Sequence, residues 1–220
     1  MEKELSTRLE QVRARIANAA SRSGRRAEDI TLVAVTKVFP ASAIRDAYEL
    51  GLRDFGENYL QEFESKFPQV QDLPEARFHL IGHLQSNKAR RAAELFHIIQ
   101  TVDTEKLARR LDAINKPLEV MLEVKLSAEE AKSGADPSEL AALIAAVKSC
   151  ANLSLRGLMT MPPWSDDPEV SRPYFRRLRE LAVEHRLSQL SMGMSHDLEA
   201  AIGEGATHVR VGTALFGRRK

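Results

Sequence analysis

One amine, one guanidinium and two clusters of small residues hold most of the chemistry this sequence could do. The amine is Lys37, which follows the apolar run Leu32–Val35 and Thr36 and stands three residues before Pro40. The guanidinium is Arg210, in HVRVG (208–212). The small residues lie in SMGMS (191–195) and VGT (211–213), where Gly193 neighbours Ser195 and Gly212 neighbours Thr213. Small residues let backbone N–H groups approach an anion closely, and a turn that opens a helix adds the helix dipole, so the paired segments read as a phosphate cradle. For either glycine alone, turn geometry or close packing is the simpler reading.

A lysine at the end of an apolar strand beside such a cradle is partly desolvated. Desolvation and nearby cations disfavour the ammonium form and leave a lone pair able to bond an aldehyde as a Schiff base. An aldehyde that also carries a phosphate is pyridoxal 5′-phosphate, PLP. His208, Arg210 and Gly212 alternate, so Arg210 shares a face with Gly212. Two readings stand for it: an ion pair with a carboxylate such as Glu123 or Glu57, or contact with the pyridine nitrogen, which a permanent cation would keep unprotonated.

These residues need a scaffold that gathers distant segments, and the hydrophobic pattern supplies one. Leu5, Leu9, Val12, Ile16 and Ala20 make the stripe of an opening helix that Ser23-Gly24-Arg25 ends. Strands then alternate with helices: strands at Leu32–Val35, Arg53–Glu57, Phe78–Ile81, Ile98–Val102, Leu118–Val124, Leu153–Met159, Leu190–Met192 and His208–Val211. The intervening helices are Pro40–Leu50, Tyr59–Phe67, Ser86–Phe96, Glu105–Asn115 capped by Thr104, Pro137–Ser149, Val170–His185 and Leu198–Gly203. Alternation of this kind implies parallel strands joined by crossover helices. Eight units in 220 residues predict an α/β fold, a single (β/α)₈ TIM barrel with an extra N-terminal helix. The rival, a doubly wound open sheet, usually carries a glycine-rich turn after its first strand, and here that turn reads TKVFP. No linker or repeat divides residues 1–220, so one domain is expected, and the charged loop 125–136 is the longest between a strand and a helix.

Composition excludes several classes. Hydrophobic residues are 43% and charged residues 29%, with a net charge of +1, so the chain can bury a core and has no charge excess directed at nucleic acid. The basic runs at Arg25-Arg26 and Arg218-Arg219-Lys220 are too short to change that. The single cysteine, Cys150, precludes an intrachain disulfide and reads as a packed thiol. The charged N-terminus lacks the apolar core of a signal peptide, and no run is long enough to span a membrane, so a cytoplasmic location is expected. His79 and His83 lack a third ligand at metal-site spacing. Glu57 reads as bracing a cation, and Trp164 as covering a loop.

The segments LVAVTK (32–37), FGENYLQE (55–62), FHLIGHLQSNKAR (78–90), KSG (132–134), GLMTM (157–161) and 191–217 occur in order over nearly the whole chain. They resemble the YggS/PROSC family of PLP homeostasis proteins, relatives of the N-terminal barrel of alanine racemase. The block from SMGMS to VGTALFG is the specific part. Thr36 stands where the family usually has serine and Phe78 where it has tryptophan, both keeping the chemical type. The resemblance implies PLP held by Lys37, with Ser195, Gly212 and Thr213 around the phosphate and Arg210 at the pyridine nitrogen. It also implies Asn58 near the cofactor and His79, Met161 and Met192 as wall residues. The expected function is a PLP-binding protein of vitamin B6 homeostasis with no robust catalysis. It is expected to be a monomer that hands PLP to PLP-dependent apo-enzymes and binds neither nucleic acid nor membrane. The alternatives are a PLP-dependent amino-acid racemase and a barrel that binds a phosphate without bonding Lys37. Racemisation needs a proton donor on each face of the α-carbon. Tyr48, Tyr59 and Tyr174 all fall in predicted helices, and the second domain that supplies a tyrosine in racemases has no counterpart before Lys220.

Overall fold

The computed structural model describes residues 2–127 and 133–217. The basic end 218–220 and Lys132 of the KSG motif lie outside the described residues. Eight parallel strands close into a barrel in sequence order: β1 Thr31–Val35, β2 Asp54–Glu57, β3 Arg77–Leu80, β4 Ile98–Val102, β5 Leu118–Glu123, β6 Leu153–Met159, β7 Gln189–Met194 and β8 His208–Val211. Closure comes from β1 against β8, with Thr31 opposite His208 and Val33 opposite Arg210. The helices are α1 Glu2–Arg22, α2 Ala41–Glu49, α3 Leu60–Lys66, α4 Ala89–Leu95, α5 Glu105–Asp112, α6 Leu140–Lys148, α7 Arg172–Glu184, α8 Leu198–Gly203 and α9 Thr213–Phe216. None of them is long and apolar enough to cross a membrane.

The predicted barrel is therefore the observed fold, and differences are confined to element ends. The segment 86–96 begins as a 3₁₀ turn, Ser86–Lys88, before α4. The helix predicted from Pro137 starts at Leu140, because Asp136 accepts hydrogen bonds from the Ser138 N–H (2.8 Å) and hydroxyl (2.6 Å) and holds a turn there. Thr104 caps α5 as expected, accepting from Leu107 N–H at 3.3 Å.

α1 ends as its sequence dictates. Gly24 takes φ 66°, Arg25 N–H bonds Ala20 C=O at 2.9 Å and Gly24 N–H bonds Ser21 C=O at 3.1 Å, satisfying carbonyls the helix would leave open. Its apolar stripe is buried against α8 and α9. Those helices have only six and four residues, so α1 supplies the apolar cover they are too short to give.

Alternation along each strand sorts residues into two layers. Leu118, Val120 and Leu122 of β5 join the cluster beneath the helices, whereas Glu119, Met121 and Glu123 face the barrel interior. That interior is unusually polar for this architecture, whose core layers are commonly branched and apolar. At its N-terminal floor, Glu119 accepts from Arg77 at 2.7 Å and from Arg156 at 2.6 Å.

Candidate functional site

The C-terminal ends of β1, β2, β6, β7 and β8 surround a cavity of about 320 Å³ at the barrel mouth, the face on which barrels of this kind carry their chemistry. Its lining includes Lys37, Asn58, Met161, Ser195, Arg210, Gly212 and Thr213. Seven of the nine residues singled out in the sequence thus meet in one place. The other two are elsewhere. Met192 is fully buried in the layer beneath the helices, because alternation turns Ser191 inward and Met192 outward. His79 is fully buried deeper in the interior, its Nδ1 2.9 Å from Gln100 Nε2 and its Nε2 2.9 Å from Asp54 Oδ1. Neither lines the cavity.

Lys37 sits just past the end of β1, where a charged cluster grips both of its neighbours. Lys66 Nζ donates to Thr36 C=O and to Glu57 Oε1, each at 2.9 Å, and lies 2.5 Å from Glu62 Oε1. Thr36 Oγ1 donates to Glu57 Oε1 at 2.8 Å. On the other side, Val38 N–H donates to Glu62 Oε1 at 2.6 Å. Val38 has φ 63°, a left-handed conformation costly for a β-branched residue, and the Glu62 bond holds it there. Glu57 does brace a cation, as its sequence context suggested, and that cation is Lys66. Burial pushes the Glu57 carboxyl up, against the opposing pull of Lys66.

Arg210 is 3% exposed and reaches the cavity from the interior face of β8. Its Nη1 donates to Ser191 Oγ at 2.7 Å and its Nη2 to Thr160 C=O at 2.9 Å. Among the described residues it has no ion pair with Glu123 or Glu57, so the guanidinium is aimed by neutral acceptors. Burial brings it down to about 10, against Asp197 and Glu123, and it stays charged at neutral pH. Its anchor continues inward. Ser191 Oγ donates to Gln100 Oε1 at 2.6 Å, and Gln100 Nε2 can only donate to His79 Nδ1. His79 Nε2 therefore carries the proton shared with Asp54.

The two small-residue segments lie side by side. Ala214 N–H donates to Ser195 Oγ at 3.2 Å, tying the β7 loop to the first turn of α9. Gly193 has φ 89°, and a Cβ there would stand 2.4 Å from Ala201 Cβ, so only glycine permits this approach. At this point the β7–β8 register shifts between Ser191 and Met194. Asn58, which lines the cavity, has a buried Oδ1 with no hydrogen-bond partner among the described residues. An amine, a permanent cation, an unpaired amide oxygen and a small-residue turn fit an aldehyde that carries a phosphate and an aromatic nitrogen.

Sequence reasoning missed part of the wall. Trp164, from the β6–α7 loop, stacks edge-on against His196 with ring centroids 4.9 Å apart, and both line the cavity with Met194. His196 Nε2 lies 2.8 Å from Asp166 C=O, which ties the two loops together. Trp164, expected from the sequence to cover a loop, is 71% exposed and forms part of the cavity wall. Among the described residues, no three His, Cys, Asp or Glu side chains stand close enough to hold a metal ion. Cys150 is buried, its Sγ 3.4 Å from Ala146 C=O, and burial pushes the thiol up.

The sequence model of one family, described as alanine racemase, N-terminal domain, matches residues 8–220. The chain is 49% identical to the pyridoxal phosphate homeostasis protein of Pseudomonas aeruginosa, over 98% of this chain and 96% of that one. It is 42% identical to the protein of the same name from Aquifex aeolicus, over 97% of each. Among solved structures, that of PipY from Synechococcus elongatus PCC7942 with PLP bound is similar at a TM-score of 0.82. It is 41% identical, with 92% of this chain and 100% of that one covered.

Proposed function

The chain belongs to the alanine racemase N-terminal domain family, and from that premise we propose that it binds PLP as a Schiff base on Lys37 and serves PLP homeostasis without robust catalysis. The observation that carries this reading is the convergence of Lys37, Arg210, Ser195, Gly212 and Thr213 on one cavity. When bound, PLP supplies an electrophilic aldehyde that a primary amine bonds reversibly. Lys37 provides that amine from a backbone gripped on both sides. Ser195 and the α9 turn offer the phosphate a hydroxyl and backbone N–H groups. Arg210 presents a charged donor to the pyridine nitrogen, and its anchorage on Ser191 and Thr160 keeps it aimed.

The non-catalytic part of the reading rests on what the cavity wall offers. Among the described residues no tyrosine lines it: Tyr48 donates to Pro74 C=O from α2, Tyr59 immediately precedes α3 and Tyr174 lies on α7. A cation at the pyridine nitrogen also keeps the ring a weak electron sink. The protein then holds a reactive aldehyde away from stray amines and yields it to a competing amine. Adding PLP to the purified protein is expected to produce a visible absorbance band, and Lys37→Ala to abolish it. Borohydride reduction followed by peptide mass spectrometry should place the label on Lys37. A label on another lysine with an unchanged band in Lys37→Ala would overturn the assignment.

A further inference from the structure

Beside the first cavity lies a second, of about 600 Å³, lined by Glu123, Lys125, Ser127 and Ser133. The two share Met161, Trp164 and Met194 as common walls, so a molecule in one borders the other. Glu123 closes the inner end of the second. It is 3% exposed, yet among the described residues its Oε2 has no hydrogen-bond partner. Glu57 Oε2 and Glu204 Oε2 also lack a hydrogen-bond partner among the described residues, but of the three glutamates only Glu123 lines this cavity, and an orphan beside a cavity points to a ligand that supplies the missing donor. We propose that this cavity is a subsite for a small primary amine, with Glu123 binding the ammonium group and taking its proton, and that the amine seated there is the one that displaces Lys37. The second half of this inference rests on the Schiff-base reading; the binding of the amine does not.

The surroundings define what Glu123 can bind. Ser133 and Lys125 line the cavity beside the carboxyl group, and the charges of Asp103, at the end of β4, and Arg210, from β8, act on it. Arg210 commits its Nη1 and Nη2 donors to Ser191 and Thr160, and among the described residues it forms no ion pair with Glu123. Burial and the like charge of Asp103 push Glu123 up to about 7, so near neutral pH it both accepts and returns a proton. An ammonium ion must lose a proton before its nitrogen can attack, and a group poised near 7 suits that task. The exchange then balances. The ammonium proton passes to Glu123, the new carbon–nitrogen bond forms as the bond to the Lys37 nitrogen breaks, and Glu123 returns the proton to Lys37.

The test separates the subsite from the Schiff base. In calorimetric titrations of unloaded protein with ethylammonium chloride at pH 7, saturable binding is expected, with release of up to about half a proton as the cation holds Glu123 ionised. Glu123→Gln should weaken that binding about tenfold or more, the worth of a charge-assisted hydrogen bond, and Lys37→Ala should leave it in place. In the wild-type protein, which avoids any folding defect of the variant, the Glu123 carboxyl ¹³C signal should move its titration to lower pH when ethylamine is added. With PLP loaded, Glu123→Gln should slow amine-driven loss of the visible band about tenfold while spontaneous loss is unchanged. Equal ethylamine binding in wild type and Glu123→Gln, or a carboxyl signal that ethylamine leaves unmoved, would overturn the proposal. Loss of the Lys37-dependent band with the calorimetry intact would instead overturn only the Schiff-base reading.

Discussion

Glu119 and Glu123 lie on the same face of one strand, roughly 13 Å apart at about 3.3 Å per residue, at opposite ends of the barrel interior. At the floor, Glu119 takes guanidinium donors from Arg77 and Arg156. At the mouth, Glu123 has an oxygen with no partner among the described residues and a proton affinity raised far above that of an ordinary carboxylate. Residue type, strand and facing are shared; the partners differ. A barrel can build charge into its interior and satisfy it, so polar groups left unsatisfied beside a cavity are informative about ligands. Asn58 Oδ1 at the other cavity is the second example.

The sharpest way to test this contrast is to take the cation away from another buried carboxylate, one whose Oε1 is held and whose Oε2 has no hydrogen-bond partner among the described residues. Glu57 is fully buried and held by Lys66 and Thr36. Lys66→Met should leave it buried without its cation and cost about 3 kcal/mol or more at pH 8 by urea unfolding. The loss should shrink toward pH 5, because a carboxyl raised in the folded state is relieved by protonation. A cost that is equal at both pH values would show that packing, not charge, is what Lys66 contributes.

A comparable effect should come from pH alone. Glu123 is raised from 4.5 to about 7, so its contribution to stability is full below about pH 4.5 and is lost as pH rises through 7. His208, buried beside His79 and lowered from 6.5 to about 4, has the opposite sign: its contribution is full above 6.5 and is lost as pH falls through 4. Each is worth up to about 3.5 kcal/mol at ~1.4 kcal/mol per unit. In the wild type the two slopes oppose one another across nearly the same window. Glu123→Gln should therefore give a protein whose stability climbs with pH between 4.5 and 7, and His208→Gln one whose stability declines. Parallel curves for both variants would remove the distinction between the two groups.

The smallest effect is expected at the floor. Glu119 is 28% exposed in its side chain and each arginine partner 45%, so water screens these pairs. Glu119→Gln should change stability by about 1 kcal/mol or less and leave the PLP band untouched.

Much of this was legible in the sequence because the outward faces of the strands are apolar and the loops between are punctuated by glycine, proline and helix caps. The mouth was legible because Lys37 and the small-residue turns fall at strand ends, where a barrel must bring them together. The partners were not legible. Nothing near LEVMLE tells that residue 119 will pair with arginines from positions 77 and 156, or that residue 123 will form no ion pair among the described residues. Met192 was misplaced by trusting its position in a motif over the alternation that turns it outward, and His79 because a strand-borne histidine can reach the mouth or stay in the interior with equal local sequence. The clamp on Val38 needed α3 in place to be seen.

The run of donors from Arg210 through Ser191, Gln100 and His79 to Asp54 takes one residue from each of five strands, β8, β7, β4, β3 and β2. A slip of one residue in any of those strands would turn its member out of the interior. The polar line thus acts as a combination lock on assembly: apolar faces tolerate many near alignments, but this sequence of donors and acceptors closes for one register, and that register sets Arg210 at the mouth.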